Sequence, residues 1–211
     1  HDLMNYEQWL RLASCIRLLP AEAWETPHVL LSEVWLAHSR RADLETMARL
    51  GERARARIEE LSPTAGAPAD LLGELDTLAT MLHYYRAEGG NSIEAGRRAL
   101  ERLPLQAYTV RSFARIFLAG AYHLVGNRDT AYTVMGEGVR EEQETPDLNR
   151  CRLQLGWGFL EWLDGDLNGL ALTVAQASAE TRGGLHGESV SWAHYFRACV
   201  AYEWNDLKTA E

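Results

Sequence analysis

The segment Phe113–Tyr132, FARIFLAGAYHLVGNRDTAY, constrains this chain more than any other, because the chain repeats it. Phe113, Phe117, Ala121 and Leu124 recur at helical spacing, so the segment opens as an apolar helix. Gly126 ends that helix where a left-handed residue costs least. Asn127 or Asp129 is then placed to cap a second helix by accepting from its free N–H groups. Ala119 and Ala131 are small where the two helices must approach. The pattern recurs in LGWGFLEWLDGDLNGLA, with Gly158, Gly165, Asp166 and Leu170, and in RACVAYEWNDLKTAE, with Ala198, Asn205, Asp206 and Ala210. Upstream, HYYRAEGGNSIEAGRRAL offers Gly90 and Asn91 as the turn and Ala95 in the alanine slot. Residues 95, 131, 170 and 210 lie 36, 39 and 40 positions apart. A two-helix unit repeated at that interval predicts an all-α helical solenoid, since one hairpin cannot bury its own apolar face.

The expected elements follow in order. Residues 5–19 read as a first helix carrying Trp9, Leu10, Ala13, Ile16 and Leu19. Pro27 suits the first turn of the next helix, where its missing N–H is not needed. Arg40-Arg41-Ala42-Asp43 is a turn without glycine, and Leu44–Leu61 a helix with one apolar stripe and a solvated Arg/Glu face. Residues 62–70, SPTAGAPAD, form a linker. Thus 1–61 is a less regular N-terminal part and 71–211 the regular repeats of one elongated domain. Helices are expected over 71–88, 93–103, 108–125, 129–142, 148–163, 167–181 and 188–204, with Pro104, Pro146 and Gly183-Gly184 as spacers. Glycines inside these helices each cost about 1 kcal/mol against alanine, which points to close helix–helix approach.

Hydrophobic residues make up 46% of the chain, enough to oppose disorder. The net charge of −9 argues against direct nucleic-acid contact, which needs clustered Lys and Arg. Three widely spaced cysteines, Cys15, Cys151 and Cys199, fit free buried thiols of a cytoplasmic protein. No signal peptide or membrane-length apolar run is present. The opening His1-Asp2, and an end at Glu211 one turn into a helix, read as a piece of a longer protein. No two histidines lie four apart on one helix, and no nearby Cys or Asp completes a ligand set, so no metal is expected. Glu141, Glu142 and Glu144 read as a solvated helix end. No positioned acid, base or nucleophile appears, so the chain is read as non-catalytic.

These features resemble tetratricopeptide repeats. Leu118, Ala119 and Tyr122 match the first-helix Leu-Gly-x-x-Tyr, Ala131 and Gly138 fall on the second-helix small positions, and Arg115 stands where the consensus has Trp. A closer resemblance is to the repeats of MalT-like, ATP-dependent LuxR-family transcription regulators. Ala201-Tyr202-Glu203-Trp204-Asn205-Asp206-Leu207 is similar to that family's LYEWNDLEAA segment. Ala99-Leu100-Glu101-Arg102-Leu103-Pro104 resembles its RRALELLP junction, and Leu18-Leu19-Pro20-Ala21-Glu22 its LPEE entry. The resemblance implies a right-handed superhelix of about five two-helix units with incomplete ends. It also implies a sensor region that signals to ATPase and DNA-binding domains absent from this chain. No cofactor is expected here; ATP would belong to an upstream domain, since no G-x-x-x-x-G-K-[ST] loop occurs.

By analogy with that superhelix, the first helix of each hairpin lines the concave face. The expected ligand- or partner-binding residues are Tyr84, Phe113, His123, Phe159, Trp162, Trp192, Tyr195 and Tyr202, with Ile116 and Leu155 also inward. Such an aromatic groove suits a small-molecule inducer or the side chains of a protein or peptide partner. The alternative function is a generic tetratricopeptide scaffold for protein–protein interaction. No membrane contact is expected, and the apolar hairpin faces at both ends would allow a homo-oligomer.

Overall fold

Left-handed backbone marks the joints of this chain. In the computed structural model, which describes residues 2–62, 66–141, 147–180 and 187–210, φ is positive at Glu7, Arg41, Ala87, Gly126, Gly165 and Asn205. The last five recur at intervals of 39 to 46 residues. After each of those five, the next N–H reaches back to the carbonyl five residues earlier. These bonds are Ala42 to Ala37 at 3.0 Å, Glu88 to His83, Asn127 to Tyr122 and Asp166 to Glu161 at 2.9 Å, and Asp206 to Ala201 at 2.8 Å. This closes the helix end and turns the chain back. Asp43, Asn127, Asp166 and Asp206 then accept from the N–H three residues on, at 2.7, 3.3, 2.9 and 3.3 Å, and start the following helix.

The resulting helices are α1 Asp2–Asn5, α2 Trp9–Arg17, α3 Pro27–Ser39, α4 Leu44–Leu61, α5 Ala69–Tyr85 and α6 Gly89–Arg102. They continue as α7 Tyr108–Leu124, α8 Arg128–Glu141, α9 Asp147–Asp164, α10 Leu167–Glu180, α11 Glu188–Glu203 and α12 Leu207–Ala210. The fold is all-α; no strand occurs among the described residues. The expected Gly90-Asn91 turn is corrected: both residues lie in the first turn of α6, and Ala87 makes the joint instead. A left-handed alanine costs about 1–2 kcal/mol, partly offset because glycine loses more freedom on folding. Ala87→Gly is therefore expected to stabilise the protein by roughly 1 kcal/mol. Gly126→Ala is expected to destabilise it by a similar amount. Urea midpoints at unchanged slope check both, and equal midpoints would contradict the strain.

From α3 onward each helix packs on the next. In addition α3, α5, α7, α9 and α11 touch one another in series, and form one layer. The intervening α4, α6, α8 and α10 lie against that layer, each in the groove between two of its members. Cores fill the seams. Leu118, Ala119, Tyr122, Ala131, Met135, Leu153 and Leu160 are buried between α7, α8 and α9. Cys151, Leu155, Leu170, Val174, Ala193, Phe196 and Val200 do the same between α9, α10 and α11.

The N-terminal segment departs from an array of neighbours. The single helix expected over 5–19 is broken at residues 6–8, with Glu7 at φ 50°. This break turns α1 across α7. Asn5 donates to the Gln106 carbonyl at 2.9 Å and accepts from Thr109 N at 3.2 Å, while Thr109 Oγ1 donates to the Met4 carbonyl at 2.8 Å. Glu7 itself reaches Arg152 of α9 and Ser189 of α11. The start of the chain is therefore joined to α9 and α11. Burial of Glu7 against a cation and two donors explains the break, since its charge-assisted bonds outweigh one strained residue.

Three further expectations are corrected. Cys15 is exposed and Cys199 half-buried; only Cys151 is buried. Glu141 is not merely solvated: it is ion-paired with Arg115 and Arg111, both buried. Arg115, in the slot where the repeat consensus has Trp, spans from that carboxylate to the Val134 carbonyl. Glu142, Glu144, Pro146, Gly183-Gly184 and residues 63–65 of the linker lie outside the described residues.

Candidate functional site: an aromatic cavity

The layer of α3, α5, α7, α9 and α11 lines a half-open cavity of ≈ 470 Å³. Helical spacing supplies its walls. Phe113, Ile116 and Phe117 share one face of α7, and Arg152, Leu155, Gly156 and Phe159 one face of α9. From α11 come Glu188, Ser189, Trp192 and Phe196, from α5 Tyr84 and Tyr85, and from α3 His38, while Glu7 closes one end. Gly156 sets the width. A Cβ there would lie 2.6 Å from Ile116 Cγ1 and 2.7 Å from Met135 Cε, so only glycine lets α7 and α9 come this close.

The rings lock one another. Tyr85 and Tyr84 lie 5.4 and 5.6 Å from Phe117, and Tyr84 meets Phe159 edge-on at 6.5 Å. Phe113 is stacked on buried Trp35 at 5.7 Å and takes the His38 ring edge-on at 4.8 Å. At the other end Trp192 packs on Phe196 at 5.9 Å, and the Arg41 guanidinium lies 5.5 Å from its ring centre.

The polar end is built around Arg152, whose guanidinium also sits 5.5 Å from the Phe113 ring centre. It donates to Glu7 Oε1 at 2.5 Å, to Asn149 Oδ1 at 2.8 Å and to Thr109 Oγ1 at 3.2 Å. Glu7 also accepts from Ser189 Oγ at 2.5 Å and Ser189 N at 3.1 Å. Ser112 donates to Asn149 at 2.7 Å. His38 Nδ1 is shut off from solvent with no hydrogen-bond partner among the described residues. Burial, and then the charges of Arg152 and Arg41, pull the His38 imidazole down to about 4, so it is neutral at pH 7. Behind Trp35, Glu74 accepts from the indole N–H at 2.7 Å, and burial pushes its carboxyl up to about 7.

These two groups drive stability in opposite directions. Between about pH 4 and 6.5 an unfolded His38 holds a proton that the folded one lacks, so its contribution is lost as pH falls. Between 4.5 and about 7 the folded Glu74 holds a proton that the unfolded one lacks, so its contribution is lost as pH rises. Glu74→Gln is expected to steepen the rise of stability with pH between 4.5 and 6.5, and His38→Gln to reverse or flatten it. Urea midpoints across that range check this; identical profiles for both variants and the unaltered chain would refute it.

Of the residues expected on a concave face, Tyr84, Phe113, Phe159 and Trp192 line this cavity, as do Ile116 and Leu155. The other four lie elsewhere. His123 is bound to Asp164 at 2.6 Å, beside Tyr132 and Arg128 at the ends of α7, α8 and α9. Against the cost of burial, hydrogen bonds from Arg128, His123 and Tyr132 hold the Asp164 carboxyl down to about 2. Trp162 packs into the seam with α10 and α11. Tyr195 and Tyr202 are 56% and 65% exposed. The cavity-lining positions on α11 follow Glu188, Trp192 and Phe196, and Tyr195 falls one step off that line.

Reading the sequence passed over Phe117, Phe196 and Tyr85, although Phe113 and Trp192 four residues earlier pointed to the first two. Arg152 precedes Leu155 by one turn and carried the same signal. Glu7 had none, because it arrives through the broken first helix. Among the described residues no three His, Cys, Asp or Glu side chains converge as a metal set. No described helix is long and apolar enough to cross a membrane. No family model, curated protein or solved structure matched the chain.

Proposed function

We propose that this chain is the sensor region of a MalT-like, LuxR-family transcription regulator, built as a tetratricopeptide-like superhelix, and that its inducer is a small molecule bound in the aromatic cavity. The carrying observation is the cavity itself: ≈ 470 Å³, faced by rings from alternate helices and given a few convergent polar groups. Small-molecule sites have that size and composition. The binding residues in this reading are Tyr84, Phe113, Phe159 and Trp192, joined by Tyr85, Phe117 and Phe196. The region is non-catalytic. Its ligand acts by preferring one packing of the layered helices over another, and the change passes to ATPase and DNA-binding domains elsewhere in the regulator.

The test is a thermal-shift screen of the chain against sugars, amino acids and aromatic metabolites. A ligand at 100 times its Kd stabilises by about 2.7 kcal/mol if it binds only the folded state. Such a hit, weakened at least tenfold in folded Phe159→Ala and Tyr84→Ala variants, is the expected result. A hit indifferent to both variants, or no hit beside a protein partner that binds outside the cavity, would overturn it.

A further inference from the structure

The cavity holds one charge that the protein leaves unanswered. Arg152 and Glu7 neutralise each other, and their side chains are only 6% and 2% exposed. The first N–H groups of α11 do not offer an anion site, because Ser189 N already donates to Glu7. His38 is neutral at pH 7. That leaves Glu188. It faces the same space, is felt electrostatically at the Tyr85 phenol, and accepts a hydrogen bond from Trp192. It has no ion-pair partner among the described residues, although Arg41 lies beyond the indole at the rim. Burial, and next the like charge of Glu7, push its carboxyl up by more than Arg152 and Arg41 draw it down. The surrounding rings add their own field, since aromatic faces are negative and attract cations, most strongly when water is excluded.

We infer that the cavity selects an organic cation: an amine or quaternary ammonium on a compact aromatic or branched apolar body, its charge held by Glu188 between Tyr85 and Trp192. The body then lies among Phe117, Phe159 and Phe196. An anionic ligand meets the Glu188 carboxylate and is rejected; a neutral one fills the same space but leaves that carboxylate desolvated and unpaired. This inference rests on the reading of the cavity as a small-molecule site.

Three probes with one ring system test it by calorimetric titration of the full chain: tryptamine, 3-ethylindole and indole-3-propionate. Tryptamine is expected to bind at least tenfold more tightly than 3-ethylindole, with indole-3-propionate weakest. Glu188→Gln, which keeps the acceptor for Trp192, is expected to erase the advantage of tryptamine by weakening tryptamine and not 3-ethylindole. Neutral or anionic probe binding as tightly as tryptamine in the unaltered chain overturns the charge preference while leaving a small-molecule cavity in place. So does a tryptamine advantage that survives Glu188→Gln. Failure of all three probes overturns the cation as ligand; the cavity reading itself falls only if the metabolite screen is also empty. The comparison among probes in the unaltered chain decides the question even if the variant does not fold.

Discussion

Arg152→Met is expected to destabilise the protein by about 3–5 kcal/mol, the usual consequence of removing one partner of a buried ion pair. The substitution preserves most of the side-chain volume, so the loss is electrostatic. Glu7 would keep only the two donors of Ser189 for a carboxylate with almost no access to water. Asn149 and Thr109 would lose a donor as well. For a chain of this size each kcal/mol lowers Tm by about 2–4 °C, so a fall of roughly 10 °C is expected. Glu7→Gln retains a polar group at the same place and should cost less. The double variant should recover part of the loss, because neither charge then remains buried alone. A fall of less than about 1 kcal/mol for Arg152→Met would mean that the pair is hydrated and the closure at this end is loose.

Trp35→Ala should be comparably severe, at about 3–5 kcal/mol. Trp35 is 1% exposed, the largest of the fully buried side chains. It shares a buried cluster with Met4, Ala99, Leu103, Val110 and Ala114, drawn from α1, α7 and the end of α6, and forms the platform under Phe113. Its loss opens a void beside the cavity and removes the indole N–H from Glu74. Trp35→Phe separates the two effects, since it keeps a ring under Phe113 but not the donor; a smaller cost of about 1–3 kcal/mol is expected. Denaturant melts of both variants check this. Equal losses would assign the whole effect to the hydrogen bond rather than to packing.

Much of the fold was legible because its signals are local. Gly126 with Asn127, and Gly165 with Asp166, announce a helix end and a helix start within two residues, and the structure has both there. Ala95, Ala131 and Leu170 were readable as contact points, and each is buried. Where chemistry is degenerate the reading slipped. Ala87 does a glycine's work, which no composition rule would pick beside a Gly89-Gly90 pair. Half of the expected concave residues line the cavity; on α11 one residue turns a side chain by 100°, which leaves Tyr195 in solvent and Phe196 buried, while His123 and Trp162 lie further along α7 and α9 than the cavity reaches. The Glu7–Arg152–Ser189 cluster was not legible at all. It depends on a break in α2's expected N-terminal extension and on contacts between residues remote in sequence.

That cluster changes what kind of object the chain is when it unfolds. Helices that meet only their neighbours can fray from either end, one unit at a time, because no contact spans the whole. Here Glu7 and Ser189 are 182 residues apart and share two hydrogen bonds. Losing the last unit therefore strips two donors from Glu7, and losing the first leaves both donors of Ser189 without their acceptor. The two ends stand or fall together, so a chain that could have melted like a zipper is tied into a loop that must open all at once.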